Sequence, residues 1–292
     1  MREASATDSR ACFDLFVESV CDLGDRLGVE TITGGVEAID TLWPKRQPLF
    51  DHLAASADRW WLAQANGRIQ GYARSTLRDG VRQLTEFFVR PGSQSAGLGR
   101  ELLQRAFPAD SSRARILLAT PDTRALVRYL KTGLSARFPV FHFHRSRRTL
   151  SHPAELRVHR LTDSPNDVEQ LAAIDREILG FSRDPDHRWL LSQREGYLYH
   201  LGDRLAGYGY VGRYSGPFAT LDPALIGPIL THAESASPEE EFGMEVPLIN
   251  RAALDYLLGA GYRMDDFVNY FASDVAIGDL ERYLVTTPSF FL

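Results

Sequence analysis

Apolar residues recur at helical spacing near the start of the chain, and strand-like runs separated by glycine turns follow. The apolar positions of 9–27 repeat every three or four residues, which predicts an amphipathic helix. Asn66-Gly67 and Asp79-Gly80 predict tight hairpins between three antiparallel strands. The other predicted segments are a loop or broken helix at 34–48, helices at 49–57, 98–107 and 122–131, and strands at 114–119 and 138–143. Hairpins followed by alternating strands and helices predict an α/β domain.

The pattern occurs twice along the chain. Segment 2–9 resembles 157–164, hairpin 66–72 resembles 202–208, and 125–134 resembles 253–262, at offsets of 155, 136 and 128 residues. Because the order is kept and the offset only shrinks, we interpret the chain as a duplication. The predicted division is an N-terminal domain at 1–145, a polar linker at 146–153 and a second domain at 154–292.

Composition narrows the class of protein without identifying it. The 292 residues are 44% hydrophobic and 24% charged, values that exclude disordered and fibrous chains. The sequence has no apolar run long enough to span a bilayer and no secretory leader. Two cysteines cannot build a disulfide framework, which favours a reduced, cytoplasmic protein. A net charge of -5 argues against nucleic acid or an anionic membrane as partner. The oligomeric state, a monomer or a homodimer, stays open.

A glycine-containing loop joins the strand ending at Val89 to the helix beginning near Leu98. Backbone N–H groups at a helix start lack intrahelical partners, and the helix dipole adds positive charge, so the loop predicts an anion site suited to a diphosphate. Gly97 and Gly99 would let a ligand approach the backbone without a Cβ in the way. The loop matches neither the P-loop nor the GxGxxG nucleotide motif.

The order Gln94-x-x-Gly97-x-Gly99, directly after a strand ending Val-x-Pro, resembles the coenzyme A cradle of the GNAT acyltransferases. A second signature of that family, Asn-x-x-Ala-x-x-x-Tyr-x-x-x-Gly-Phe, is matched with departures at its first and last positions. The matching residues here are Asp122, Ala125, Tyr129, Gly133 and Leu134. With the early hairpin, the resemblance covers about residues 2–145.

The resemblance implies two tandem GNAT-like domains, each a mixed, mostly antiparallel sheet flanked by helices with one splayed strand pair. It also implies acetyl-CoA as co-substrate and no metal. Backbone N–H groups of the loop would hold the diphosphate, and the pantetheine would lie along the strand before it. The implied cofactor-binding residues are Phe87, Phe88, Val89, Gln94, Ser95, Ala96, Gly97, Leu98, Gly99, Arg100, Asp122, Ala125 and Tyr129.

Amide formation needs a neutral amine, an oxyanion donor and a proton for the leaving thiolate. Tyr129 matches the family tyrosine that contacts the thioester sulfur and can act as general acid. The backbone N–H of Val89 is the candidate oxyanion donor. Glu86 is the candidate general base, because a charge within an apolar strand is costly unless it has a role or a partner. A plain solvent-facing Glu86 is the alternative.

An acceptor pocket is expected between the first helices, roughly 16–43, and the last strands. Trp43, Trp60 and Trp61 are candidate walls, with core packing as the alternative. His142 and His144 share one strand face, but no third residue at a known spacing completes a metal site.

The second copy departs from the family where the chemistry would lie. Leu257 stands in the place of Tyr129, Asp222-Pro223 replaces Arg90-Pro91, and the Gln-x-x-Gly segment before Gly227 is deleted. We therefore expect a degenerate domain that does not bind coenzyme A in the usual way.

The sequence thus predicts an N-acetyltransferase with a single active site in the first domain. The acceptor is a primary amine, on a small molecule or a peptide, that the sequence does not identify. The alternatives are a non-catalytic sensor that binds coenzyme A and a purely structural two-domain scaffold.

Overall fold

A computed structural model describes residues 1–93, 97–110, 112–151, 155–288 and 292. The chain divides into two compact units. Unit 1 comprises residues 1–136 and 272–275, and unit 2 comprises 137–271 and 276–292. The predicted division near residue 150 follows the duplicated sequence rather than these units, and it stays a prediction.

Unit 1 is a strand layer with helices packed on it. Its strands are β1 (Arg2–Glu3), β2 (Ala57–Ala65), β3 (Arg68–Arg78), β4 (Val81–Val89) and β5 (Ala114–Ala119), and its helices are α1 (Ser9–Leu27), α2 (Ile39–Ala55), α3 (Leu98–Ala106) and α4 (Thr123–Lys131). The strands follow the order β1-β2-β3-β4-β5, antiparallel except for the parallel β4–β5 pair. Positive φ angles at Asn66, Gly67, Asp79 and Gly80 fit the predicted hairpin turns.

The second helix is longer than the pattern predicted. It runs from Ile39 to Ala55 and includes Pro44 and Pro48, so the expected loop at 34–48 is partly helical. Its aromatic residues pack on α1, with the Phe13 ring 5.2 Å from Trp43 and 5.3 Å from Phe50. Tertiary packing of this kind outweighs the low helical preference of proline.

Two irregularities shape the far end of β4. The β3–β4 pairing passes from Arg74 opposite Glu86 to Ser75 opposite Leu84, so Thr85 forms a bulge. The β4–β5 pairing ends at Leu84 opposite Leu117. Residues 85–89 of β4 therefore extend beyond the paired part of β5, which confirms the expected splayed pair.

Residues 272–275 contact β5 of unit 1 through both the backbone and the side chain of Asp274. Asp274 accepts hydrogen bonds from the backbone N–H and the Nε of Arg115, both at 2.8 Å. The Arg115 side chain is almost fully buried on β5. Because a buried guanidinium needs a counter-ion, Asp274 is part of the folded structure of unit 1.

Unit 2 begins with the last strand of the first copy, and from its second strand onward it repeats the order of strands and helices found from β1 to that strand. Its strands are β6 (Ser135–Ser146), β7 (Leu156–Arg160), β8 (Glu195–Leu201), β9 (Arg204–Val211), β10 (Phe218–Thr220), β11 (Glu241–Pro247), β12 (Arg263–Ser273) and β13 (Tyr283–Leu284), and its helices are α5 (Pro165–Ile178), α6 (Asp184–Gln193), α7 (Ile226–Ala236) and α8 (Arg251–Gly259). The strands follow the orders β13-β10-β9-β8-β7 and β12-β6-β11. The mixed α/β class with flanking helices is confirmed.

A buried polar cluster stabilises unit 2. The Asp175 carboxylate accepts hydrogen bonds from Arg183 Nε at 2.8 Å and Tyr208 Oη at 2.6 Å, and it contacts His187 Nε2 at 2.8 Å. Burial would raise the pKa of Asp175, but the charges of Arg183 and His187 outweigh it and lower the pKa to about 2. The Asp175 carboxylate is therefore a charged group of the core that is paired with Arg183, His187 and Tyr208.

Acid is expected to weaken this cluster within a narrow pH range. A carboxyl whose pKa is about 2 in the folded chain and 3.8 when unfolded stabilises the fold above pH 3.8. That contribution, about 2 kcal/mol at about 1.4 kcal/mol per pH unit, is lost as the pH falls toward 2. The carboxyl-carbon NMR shift of Asp175 measures the titration directly, and a midpoint near 3.8 would contradict the pairing.

Candidate functional site

A cavity of about 290 Å³ lies in unit 1 at the splayed end of β4. It is formed by α1, the end of β4, the start of α3, the residue after β5 and the start of α4. Its lining residues are Ser19, Val20, Asp22, Leu23, Phe87, Phe88, Val89, Pro91, Gly99, Thr120, Asp122, Arg124, Ala125, Arg128 and Tyr129. The cavity brings together seven of the sequence-predicted residues: Phe87, Phe88, Val89, Gly99, Asp122, Ala125 and Tyr129.

The strand wall of the cavity consists of Phe87, Phe88 and Val89. They follow the last β4–β5 pair, so the cavity lies where the two strands diverge. The Phe87 ring meets the Tyr129 ring edge-on at 5.9 Å, and Phe88 packs against Phe16 at 5.3 Å. These contacts form an apolar wall of the cavity.

The helix α3 begins at the glycine loop. Gly97 is its N-cap, with a φ of 76° that favours glycine, and its carbonyl accepts from the N–H groups of Arg100 and Glu101. Gly99 is buried, and a Cβ there would lie 3.1 Å from Phe87 Cζ and 3.2 Å from Arg128 Nε. The first turn of α3 therefore reaches the cavity only because Gly99 has no side chain.

The other predicted loop residues are placed differently. Gln94, Ser95 and Ala96 lie outside the described residues. Leu98 is half-buried at the start of α3, and Arg100 is exposed and does not line the cavity.

Asp122 begins the helix on the opposite side of the cavity. Its carboxylate caps α4 by accepting from the N–H of Arg124 at 2.9 Å, and it also accepts from Arg26 Nη2 at 2.9 Å. Burial would raise the pKa of Asp122, but the hydrogen bonds from Arg124 and Arg26 lower it to about 2. Asp122 is therefore an anion held between arginines at neutral pH, and in unit 2 Asn250 caps α8 in the same way.

Tyr129 lies one helical turn after Ala125, on the face of α4 that lines the cavity. Its side chain is 5% exposed, and its ring packs on Phe87. Ser19 contributes a second hydroxyl from α1, and its buried Oγ has no hydrogen-bond partner among the described residues. With Thr120, three hydroxyl-bearing residues thus line the cavity.

Glu86 is not among the residues that line the cavity. Its fully buried carboxylate accepts from Tyr72 Oη at 2.8 Å and from Arg74 Nε at 2.5 Å. The guanidinium of Arg74 lies over the Trp60 ring, 4.3 Å from its centre. Glu86 is therefore the counter-ion of a buried arginine, and the solvent-facing alternative is wrong.

The tryptophans and histidines singled out in the sequence are not among the residues that line the cavity. Trp43 packs on Phe13, Trp60 on Arg74 and Trp61 under Arg105, and none of the three lines the cavity. Within the described ranges, no group of three or more His, Cys, Asp or Glu side chains could hold a metal. In the same ranges, no helix is both long and apolar enough to cross a membrane.

Arg128 is a lining residue that the sequence reasoning missed. It lies four residues after Arg124 and next to Tyr129, so it falls on the edge of the helix face that carries the family signature. That position was the available signal. Its meaning depends on the contact with Gly99, which lies 29 residues earlier and cannot be read from helical spacing.

Part of the chain is similar to a known protein family. Residues 35–133 match the model of the acetyltransferase (GNAT) family. No protein of curated function has a significantly similar sequence. A proposed acetyltransferase from Pyrococcus horikoshii shares 14% identity over 97% of this chain and 92% of its own, with a TM-score of 0.72.

Two further structures share the architecture along most of the chain. A GCN5-related N-acetyltransferase from Sphaerobacter thermophilus has 15% identity, covering 93% of this chain and 94% of its own, with a TM-score of 0.58. A tandem GNAT protein from the clavulanic acid biosynthesis pathway has 13% identity, covering 93% and 96%, with a TM-score of 0.57. At these identities the likeness is one of fold.

Proposed function

The chain is a member of the GNAT acyltransferase superfamily, and we propose that unit 1 transfers an acetyl group from acetyl-CoA to a primary amine. The observation that carries the proposal is the cavity at the splayed end of β4, bounded by the first turn of α3 and by Tyr129. This arrangement offers an anion-binding end, an apolar channel and a hydroxyl group in one continuous space.

The donor fits the cavity by its chemistry. N–H groups of the first turn of α3 and the helix dipole suit a diphosphate, and Gly99 allows its close approach. The pantetheine arm carries amide groups that can bond to the backbone of Phe87–Val89 as an added strand would. The thioester would then lie near Tyr129, at the divergence of β4 and β5.

The reaction proceeds by direct attack. The neutral amine forms an N–C bond with the thioester carbonyl carbon, and the C–S bond breaks as the tetrahedral intermediate collapses. The amine proton passes to a base, and the thiolate takes the proton of the Tyr129 hydroxyl, which solvent restores. The backbone N–H of Val89 and the Ser19 hydroxyl are the proposed donors to the developing oxyanion.

The reaction also needs a base that takes the proton from the amine. Glu86 remains the sequence-based candidate, but its carboxylate is held by Arg74 and Tyr72 outside the cavity lining. We propose that water in the cavity carries the amine proton away, and that Glu86 fixes the end of β4. The stability and activity of Glu86 variants separate the two roles.

Replacing Tyr129 by phenylalanine is expected to lower kcat by about 100-fold and to leave the Kd for acetyl-CoA nearly unchanged. The phenyl ring keeps the packing on Phe87, whereas the proton for the thiolate is lost. Stopped-flow thiol release and calorimetry measure the two quantities. Tyr256→Phe on α8 of unit 2 is the matched control, and an unchanged kcat in Tyr129→Phe would reject the acid role.

Titration of the whole chain with acetyl-CoA, followed by thiol release with a panel of amines, tests the proposed function. Micromolar binding with release of free coenzyme A in the presence of one amine class is the expected result. Binding without release by any amine would favour a non-catalytic sensor. An absence of both heat and thermal shift would reject both ligand-binding hypotheses and leave a structural scaffold.

A further inference from the structure

We propose that Arg128 binds the diphosphate of the acyl donor and makes unit 1 selective for phosphorylated donors over shorter thioesters. The proposal deepens the proposed function and rests on it. It concerns a residue that neither family motif specifies. Arg128 stands at an unspecified position of the second signature, between its alanine and its tyrosine.

The first argument is the position of the guanidinium. Arg128 Nε lies 3.2 Å, and its Cζ 3.4 Å, from the place that a Cβ on Gly99 would take. The Arg128 side chain thus reaches from α4 to the first turn of α3 and ends beside the backbone of Gly99. The positive guanidinium and the positive end of the α3 dipole therefore face the same region of the cavity.

The second argument is charge balance. Arg26 and Arg124 are paired with Asp122, and Arg124 also lies near Asp22. The side chain of Arg128 forms no hydrogen bond or ion pair with any residue in the described part of the chain, whereas its carbonyl accepts from the N–H of Thr132. A half-buried guanidinium beside a helix N-terminus is electrostatically unfavourable until an anion arrives, and its planar fork matches two phosphate oxygens.

The third argument comes from the second copy. Gly227 and Tyr256 stand in the places of Gly99 and Arg128, at the same offset of 128 residues. A Cβ on Gly227 would lie 2.8 Å from Tyr256 Cδ2, so the contact between the two helices is kept. The Tyr256 hydroxyl bonds to Thr231 at 2.8 Å, so the copy without the glycine loop has an uncharged, internally paired side chain there.

The test compares three donors on the whole chain: acetyl-CoA, its dephospho form without the 3′-phosphate, and S-acetylpantetheine without the diphosphate. Arg128→Gln is expected to weaken the binding of acetyl-CoA, and to lower kcat/KM, by roughly 10- to 100-fold. The same loss is expected for the dephospho donor. The kcat/KM for S-acetylpantetheine should stay within about twofold of the unchanged protein, because that donor has no diphosphate to lose.

Lys131→Gln removes the same charge from the exposed end of α4 and is the control for long-range electrostatics. Arg128→Lys should recover only part of the loss, because an ammonium lacks the planar fork. Circular dichroism and the Tm of each variant establish that folding is unchanged.

Three outcomes would overturn the inference while the proposed function stands. They are equal binding of acetyl-CoA by Arg128→Gln and the unchanged protein, an equal loss with S-acetylpantetheine, and a loss confined to the donor that carries the 3′-phosphate. Failure of the unchanged protein to bind acetyl-CoA at all would instead overturn the proposed function, and the inference would fall with it.

Discussion

Replacing Glu86 by glutamine is expected to lower the free energy of unfolding by about 3–5 kcal/mol, the typical cost of removing one partner of a buried ion pair. The Glu86 and Arg74 side chains are both fully buried, and the carboxylate is the counter-ion of that guanidinium. Glutamine can still accept from Tyr72, but it leaves Arg74 charged over the Trp60 ring with no anion. Urea unfolding followed by tryptophan fluorescence measures the loss.

The double variant Arg74→Met with Glu86→Gln is the matched control. It removes the buried cation together with the carboxylate, so it should be more stable than Glu86→Gln alone. A general base would behave differently, with kcat falling steeply while the urea midpoint stays in place. That second pattern would reject our structural role for Glu86 and restore the catalytic one.

Replacing Gly97 by aspartate is expected to weaken the binding of acetyl-CoA by at least about 100-fold, because a carboxylate would stand at the start of α3 where the diphosphate is expected. Among the described residues, no atom lies within 4 Å of the place that a Cβ on Gly97 would take. The effect should therefore be one of charge on the ligand rather than of steric damage.

Gly97→Asn separates charge from backbone conformation. Asparagine and aspartate tolerate the φ of 76° about equally well, and they differ by one charge. Calorimetry should show a loss for asparagine of no more than about tenfold, and a much larger one for aspartate that shrinks as salt is added. Equal losses in the two variants would mean that the diphosphate binds elsewhere.

Much of the fold could be predicted because its signals are local. Asn-Gly and Asp-Gly turns specify tight hairpins by backbone conformation alone, and Thr123–Lys131 is a short amphipathic helix with its cap in the sequence. The sequence pattern predicts a shorter second helix than the structure has, because its residues, including two prolines, give a weak helical pattern. Only the packing of Trp43 and Phe50 on α1 explains why the whole segment is helical.

The candidate site likewise contains residues that local signals predict and residues that depend on contacts between elements. Tyr129, Ala125 and Asp122 share one helix face, and the structure places all three at one cavity. Glu86 is different, because its partner Arg74 comes from β3 through a pairing that a bulge shifts by one residue. Arg128 depends on a glycine of another helix. Contacts between elements of this kind have no signature in a single sequence.

Asp274 makes the folded structure of unit 1 depend on a residue from the second copy. A chain that ended near residue 145 would contain every residue of the cavity, yet it would lack the carboxylate that neutralises Arg115 in the core of unit 1. The sequence of the second copy lacks the glycine loop and the tyrosine, but its strand β12 is followed by Asp274, which pairs with Arg115 of unit 1. Deleting the degenerate copy would therefore harm the half of the chain that carries the cavity. This dependence gives natural selection a reason to keep the second copy whether or not it binds a ligand.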